Sequence, residues 1–115
     1  MKLNHLNLTV TDVRAASEFL EKYFGLRRIG GTGGMAFMTD GDDAPGFILT
    51  LMKGSRVEYP GNFHIGFFAD SRETVDAVNR RLREDGFDAP VPGDTGHSYG
   101  FYVKAPGGFT IELGA

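Results

Sequence analysis

Asn4-His5-Leu6-Asn7-Leu8-Thr9-Val10-Thr11-Asp12 has a second copy later in the chain, Phe63-His64-Ile65-Gly66-Phe67-Phe68-Ala69-Asp70-Ser71. Both stretches alternate with a period of two, and both run into residues that cap helices. Each reads as a strand leading into a helix. The segments that close the two copies also match. Ala44-Pro45-Gly46-Phe47-Ile48-Leu49-Thr50-Leu51 answers to Ala105-Pro106-Gly107-Gly108-Phe109-Thr110-Ile111-Glu112-Leu113. His5 and His64 hold equivalent places in the openings; Thr50 and Glu112 do so in the closings. Polar residues at matched positions of a duplicated unit point to one site built from both halves.

Working outward, Leu6, Leu8 and Val10 share one strand face, with His5, Asn7 and Thr9 on the other. Thr11-Asp12 then starts a helix in which Val13, Ala16, Phe19, Leu20 and Phe24 recur at helical spacing, and Gly25 stops it. Strands are predicted near residues 35–40 and 47–53, joined by the turn-rich Gly41-Asp42-Asp43-Ala44-Pro45-Gly46, and residues 27–30 read as a further short strand. Gly30-Gly31-Thr32-Gly33-Gly34 is read as a hairpin. It lacks the Gly-Lys-Ser/Thr of a phosphate cradle, and a strand rather than a helix follows it. Residues 53–62, with Gly54, Ser55, Pro60 and Gly61, link the halves.

The second half repeats the order. Phe63, Ile65 and Phe67 oppose His64, Gly66 and Phe68. Asp70-Ser71 caps a helix with Val75, Val78 and Leu82 inward, stopped by Gly86. Residues 87–91 read as a short strand or extended run, and residues 98–104 and 109–113 as the last strands. The expected class is α+β: two βαβββ modules, residues 1–53 and 62–115 of a single domain over 1–115. They would form a curved mixed sheet around a cleft, with helices on the outer face. A helix takes the apolar face of its sheet. Parity therefore assigns His5, Thr50, His64 and Glu112 to the opposite face, which would line the cleft.

Composition narrows the chemistry. The net charge of -3, with no basic run interleaved with aromatics, argues against nucleic acid. No apolar run is long enough to cross a membrane, and residues 1–5 do not open a signal peptide, so a cytoplasmic address is expected. The chain has no cysteine, which removes disulfides, thiolate nucleophiles and cysteine-ligated metals.

Two neutral imidazoles and one carboxylate, from His5, His64 and Glu112, suit a divalent transition metal and leave positions open for water and substrate. A lone strand histidine is ordinarily solvated or hydrogen-bonded, and Glu112 on a wet face would be unremarkable. The repeat equivalence is what sets them apart. Tyr102, Gly100 and Lys104 fall on the predicted cleft face, as does Thr50. Tyr102, Thr50 and Lys104 are candidate substrate contacts, with core or edge packing the plain alternative for the tyrosine. His97, in the turn-rich Pro92-Gly93-Asp94-Thr95-Gly96 run, has no counterpart in the first half and reads as a surface or cleft-mouth residue. Ser98 beside His97 points away from it along a strand, which disfavours a Ser–His pair. Asp40, Asp42 and Asp43 lack the calcium-loop spacing and read as a solvated turn. Arg80, Arg81, Arg83, Glu84 and Asp85 read as the exposed face of the second helix.

With these residues in view, the chain resembles the vicinal oxygen chelate superfamily, which takes in glyoxalase I, bleomycin-resistance proteins, extradiol dioxygenases and fosfomycin-resistance thiol transferases. The likeness rests on the 4–12 opening running into Phe19-Leu20 and Tyr23-Phe24-Gly25-Leu26, on Phe63-His64-Ile65-Gly66-Phe67, and on Pro106-Gly107-Gly108-Phe109-Thr110-Ile111-Glu112-Leu113. It implies paired βαβββ modules around a divalent metal (Mn, Fe, Ni, Co or Zn) with His5, His64 and Glu112 as ligands. The fourth ligand of glyoxalase I would fall at Thr50, a poor ligand, so the pattern is closer to the fosfomycin-resistance enzymes and extradiol dioxygenases. The basic residue that those transferases place beyond the glutamate has no counterpart before Ala115. The resemblance further implies a lyase, thiol transferase or dioxygenase acting on a small oxygen-rich molecule, and a homodimer with shared sites. The alternative is a metal-free protein of the bleomycin-resistance kind that sequesters a drug or aromatic ligand.

Overall fold

The computed structural model describes residues 1–41 and 46–115. Its elements run β1 (His5–Val10), α1 (Val13–Phe24), β2 (Arg27–Thr32), β3 (Met35–Thr39), β4 (Ile48–Lys53), β5 (Ile65–Phe68), α2 (Arg72–Glu84), β6 (Gly93–Asp94), β7 (Tyr99–Ala105) and β8 (Phe109–Gly114). This is βαβββ twice over, as the duplicated sequence predicts. Most of the turn expected over 41–46 lies outside the described residues, as do Asp42 and Asp43 of the acidic cluster.

The chain divides into two compact units, Met1–Glu58 with Pro106–Gly108, and Tyr59–Ala105 with Phe109–Ala115. The Pro106–Gly108 turn belongs to the first unit because Thr11 N donates to Gly107 O at 3.1 Å, and because Gly107, at φ 103°, lies against Val10. A Cβ at Gly107 would stand 3.0 Å from that of Val10.

In the first unit the sheet order is β1-β4-β3-β2, with β1 parallel to β4 and the other pairs antiparallel. α1 starts where Asp12 accepts a hydrogen bond from Ala15 N at 2.9 Å, and ends where Gly25 turns left-handed at φ 70°. Its buried stripe of Val13, Ala16, Phe19, Leu20 and Tyr23 packs on β2, β3 and β4. There it meets Leu8, Met38 and Leu51, which are sealed from solvent. Each such large side chain contributes about 1.5–3 kcal/mol through burial. The glycine run closes the β2–β3 hairpin, since Thr32 pairs Met35 across Gly33-Gly34. Arg28 braces the turn, donating to Thr32 O at 3.1 Å.

In the second unit the order is β5-β8-β7-β6, again with one parallel pair, β5 with β8. α2 is capped by Ser71, whose hydroxyl accepts from Thr74 N at 3.2 Å, and it packs on β7 and β8. Val75 and Leu82 are inward as expected, but Val78 is only half-buried, and Asn79 takes the third inward place. Asn79 is there for a reason: its Nδ2 donates to Pro90 O at 2.7 Å. That bond holds residues 87–92 against the helix as an irregular segment rather than a strand. Pro90 and Pro92 lack the amide hydrogens a ladder needs. The fourth strand of the sheet is instead the two-residue β6.

Candidate metal centre

Glu112 sits in the middle strand β8, where the register pairs it with Gly66 of β5 and Tyr102 of β7. These residues, with His64 two places before Gly66, share the face of the sheet opposite α2. Glu112 is only 7% exposed, an unusual position for a carboxylate without compensating partners. Two imidazoles approach it. His64 Nε2 stands 3.2 Å from Oε2, and His97 Nε2 stands 2.9 Å from Oε1. Yet Oε1 has no hydrogen-bond partner among the described residues.

The orientation of His64 sharpens the point. Its Nδ1 lies 3.2 Å from the carbonyl oxygen of Asn62, which can only accept, so Nδ1 carries the hydrogen. In the neutral ring Nε2 then presents a lone pair to a carboxylate oxygen. Two acceptors at that distance repel unless a proton or a cation lies between them. The Tyr102 ring meets the His64 ring edge to face, with centroids 5.2 Å apart, and fixes the plane of the imidazole. The Tyr102 phenol is pushed above its ordinary 10.0, first by removal of surrounding water, then by the charge of Glu112 and a hydrogen bond to it. It therefore keeps its proton at Oη. Lys104 lies two residues further along the same face of β7 and is exposed.

In the first unit His5 lies on β1, with its Nδ1 2.7 Å from Asn4 Oδ1, which again leaves Nε2 as the open nitrogen. Thr50 pairs with Asn7 of β1 and Phe37 of β3, so His5, Asn7 and Thr50 share the face opposite α1. That face bounds a hollow of about 900 Å³. Met35, Phe37, Ile48 and Met52 give it an apolar floor; Lys2, Asn4, His5 and Asn7 give it a polar side. Thr50 is buried at 6% exposure.

The structure thus brings together His64, Glu112 and Tyr102, and sets His5 and Thr50 on the corresponding face of the other unit. His97, read from sequence as a surface or cleft-mouth residue, is 59% exposed and stands at the carboxylate. Its signal in the sequence was only its place in a turn-forming run just before a strand. Among the described residues no three histidine, aspartate or glutamate side chains are gathered tightly enough to hold a metal as they stand. One nitrogen stands at each carboxylate oxygen rather than both at a shared point. The donor types nevertheless fit a divalent transition metal: open imidazole nitrogens with fixed tautomers and a buried, under-satisfied carboxylate oxygen.

A family model described as glyoxalase/bleomycin resistance protein/dioxygenase superfamily matches residues 2–113. A structure described as a possible glyoxalase from Bacillus cereus is 56% identical, covers 100% of this chain and 99% of its own, and superposes with a TM-score of 0.92. A probable trivalent organoarsenical cleaving enzyme of Bacillus subtilis is 30% identical over 98% of this chain and 79% of its own length. The fosfomycin resistance protein FosX of Listeria monocytogenes, in a mutant crystallised with Mn(II) and 1S,2S-dihydroxypropylphosphonic acid, shares the fold at 22% identity. Its TM-score is 0.80, with 99% of this chain and 91% of that one covered.

Proposed function

This chain belongs to the glyoxalase/bleomycin resistance protein/dioxygenase superfamily, and on that premise we propose that it is a metal-dependent enzyme acting on a small oxygen-rich molecule, with His5, His64 and Glu112 as the ligands of one divalent cation. The observation that carries this reading is the buried Glu112 carboxylate. It faces His64 Nε2 at 3.2 Å and keeps an oxygen without a hydrogen bond. A buried anion needs a counter-charge, and a cation between these donors would provide it. When bound, the cation supplies Lewis-acid polarisation of substrate oxygens and a seat for two of them as a chelate.

The chain's own residues supply the rest. Asn62 O and the Tyr102 ring hold His64 in one tautomer and one plane. Tyr102 Oη keeps its proton and, through its hydrogen bond to Glu112, steadies the carboxylate. Lys104 offers a positive charge to an anionic group, and the Thr50 hydroxyl a second polar contact. The apolar floor of Phe37, Ile48 and Met52 excludes water from the carbon part of a ligand. The B. subtilis relative is named for a trivalent arsenical. Trivalent arsenic is thiophilic, and this chain has no cysteine thiolate to offer it. Oxygen-rich substrates are the better match to the donors present.

The same apolar hollow favours one other reading, sequestration of an aromatic or drug-like ligand without metal. Calorimetric titration of chelator-treated protein with Mn, Fe, Ni, Co and Zn separates the two. The enzyme reading expects tight uptake of about one metal per chain, lost in His64→Ala. A folded wild-type protein with no affinity for any of the five metals would leave sequestration standing.

A further inference from the structure

We propose that His97 is an additional metal ligand, so that the second unit alone furnishes three donors: His64, His97 and Glu112. The inference rests on the metal reading above and extends its ligand set to a residue outside the duplicated positions.

Three observations carry it. The first is the gap at Glu112 Oε1. This oxygen belongs to a residue more than nine-tenths buried, it has no hydrogen-bond partner, and His97 Nε2 stands 2.9 Å from it. The second is spacing. Two donors bound about 2.1 Å from one cation at right angles stand about 3 Å apart. The two imidazole nitrogens stand 3.2 Å and 2.9 Å from the oxygens of a single carboxylate. Oε1 has no hydrogen-bond partner at that distance, and the spacing fits donors that a cation would draw together.

The third observation is that the backbone delivers His97 to this place. Thr95 N donates to Ser98 O at 2.9 Å, and Thr95 Oγ1 donates to the same oxygen at 3.1 Å. Gly96, at φ 97°, donates its N–H to Asp94 Oδ1 at 2.8 Å. The turn between β6 and β7 is thereby closed, with His97 at its tip beside the strand that carries Tyr102. The His97 side chain is 59% exposed. It is free to rotate by the small amount that moves Nε2 from the oxygen to a cation lying between the two imidazoles.

The test uses the full chain, freed of metal by chelation and titrated with Co(II), reading affinity by calorimetry and ligand field by visible absorption. His97→Ala is expected to weaken Co(II) binding by at least about tenfold to a hundredfold and to change the absorption bands. Added imidazole should restore both, since the vacated place opens to solvent. The melting temperature of chelated His97→Ala should equal that of the chelated wild type, which separates ligation from folding. Wild-type protein that takes up no Co(II) overturns the metal reading, and this inference with it. Wild-type uptake with unchanged affinity in His97→Ala overturns this inference alone. A loss of affinity with unaltered absorption bands would also overturn it, because His97 would then be orienting Glu112 without touching the metal.

Discussion

Single side chains in the second unit are set by partners that the sequence does not bring near them. Tyr99 opens β7 and donates its hydroxyl to Asp76 of α2 at 2.6 Å, while Arg72 stacks 5.0 Å from its ring centre. The hydrogen bond to Asp76 raises the phenol above its ordinary 10.0, and burial and the carboxylate charge add to the effect. A phenol raised on folding stabilises the fold fully below the pKa of the unfolded chain, and that contribution is lost as pH climbs through the folded value. Tyr99→Phe should therefore melt below the wild type by a constant margin up to about pH 10, with the margin closing at higher pH. Thermal melts across the alkaline range check this, and a margin that stays constant throughout would contradict it. The same scale shows why the place of His97 beside Glu112 was not legible in the sequence. His64 and Glu112 could be picked out because their positions repeat those of His5 and Thr50. His97 has no counterpart in the first half, and its placement depends on hydrogen bonds within a four-residue turn. Nothing in residue type or periodicity encodes where such a turn points its tip.

At the level of elements, strands and helices were legible wherever one physical cause dominated. α1 shows its aspartate cap, its terminating glycine and most of its buried stripe in the sequence itself; only the last turn differs, where Tyr23 is buried and Phe24 half-buried. Residues 87–91 were ambiguous because apolar side chains argue for a strand and prolines against one. The bond from Asn79 to Pro90 O decides the matter, and it joins residues eleven apart in sequence. Two glycines show how tightly β7 and β8 are joined. Gly100 pairs with Gly114, and a Cβ on Gly100 would stand 2.1 Å from Leu113 O. The obstruction is backbone, so it cannot swing aside as a side chain would. Gly100→Ala must open the ladder two residues from Tyr102 and its partner Glu112. We expect a loss of about 1–3 kcal/mol in denaturant unfolding, together with weakened metal uptake. A stable variant with undiminished metal affinity would mean that the strand pair carries less of the site's geometry than the register implies.

For the molecule as a whole, the proposed matched ligands divide unequally between the copies: His5 in the first unit, His64 and Glu112 in the second. Neither half of the sequence holds all three matched positions, so a centre that uses His5 beside the second unit's donors would draw on both copies, either within one chain or between two. If the proposed sites are shared across a homodimer, closed twofold symmetry gives that dimer two equivalent centres. Mixing variants distinguishes the two arrangements. His5→Ala and His64→Ala proteins, each lacking one ligand, are unfolded together and refolded as an equimolar mixture. Half of the dimers then contain one chain of each kind. If ligands are drawn across subunits, one of the two sites in each mixed dimer regains His5, His64 and Glu112, while the other lacks both histidines. Tight metal binding should return to about one quarter of the wild-type stoichiometry, the product of one half and one half. If every site is built within a single chain, no partner can repair it, and the mixture should bind no better than the separate variants.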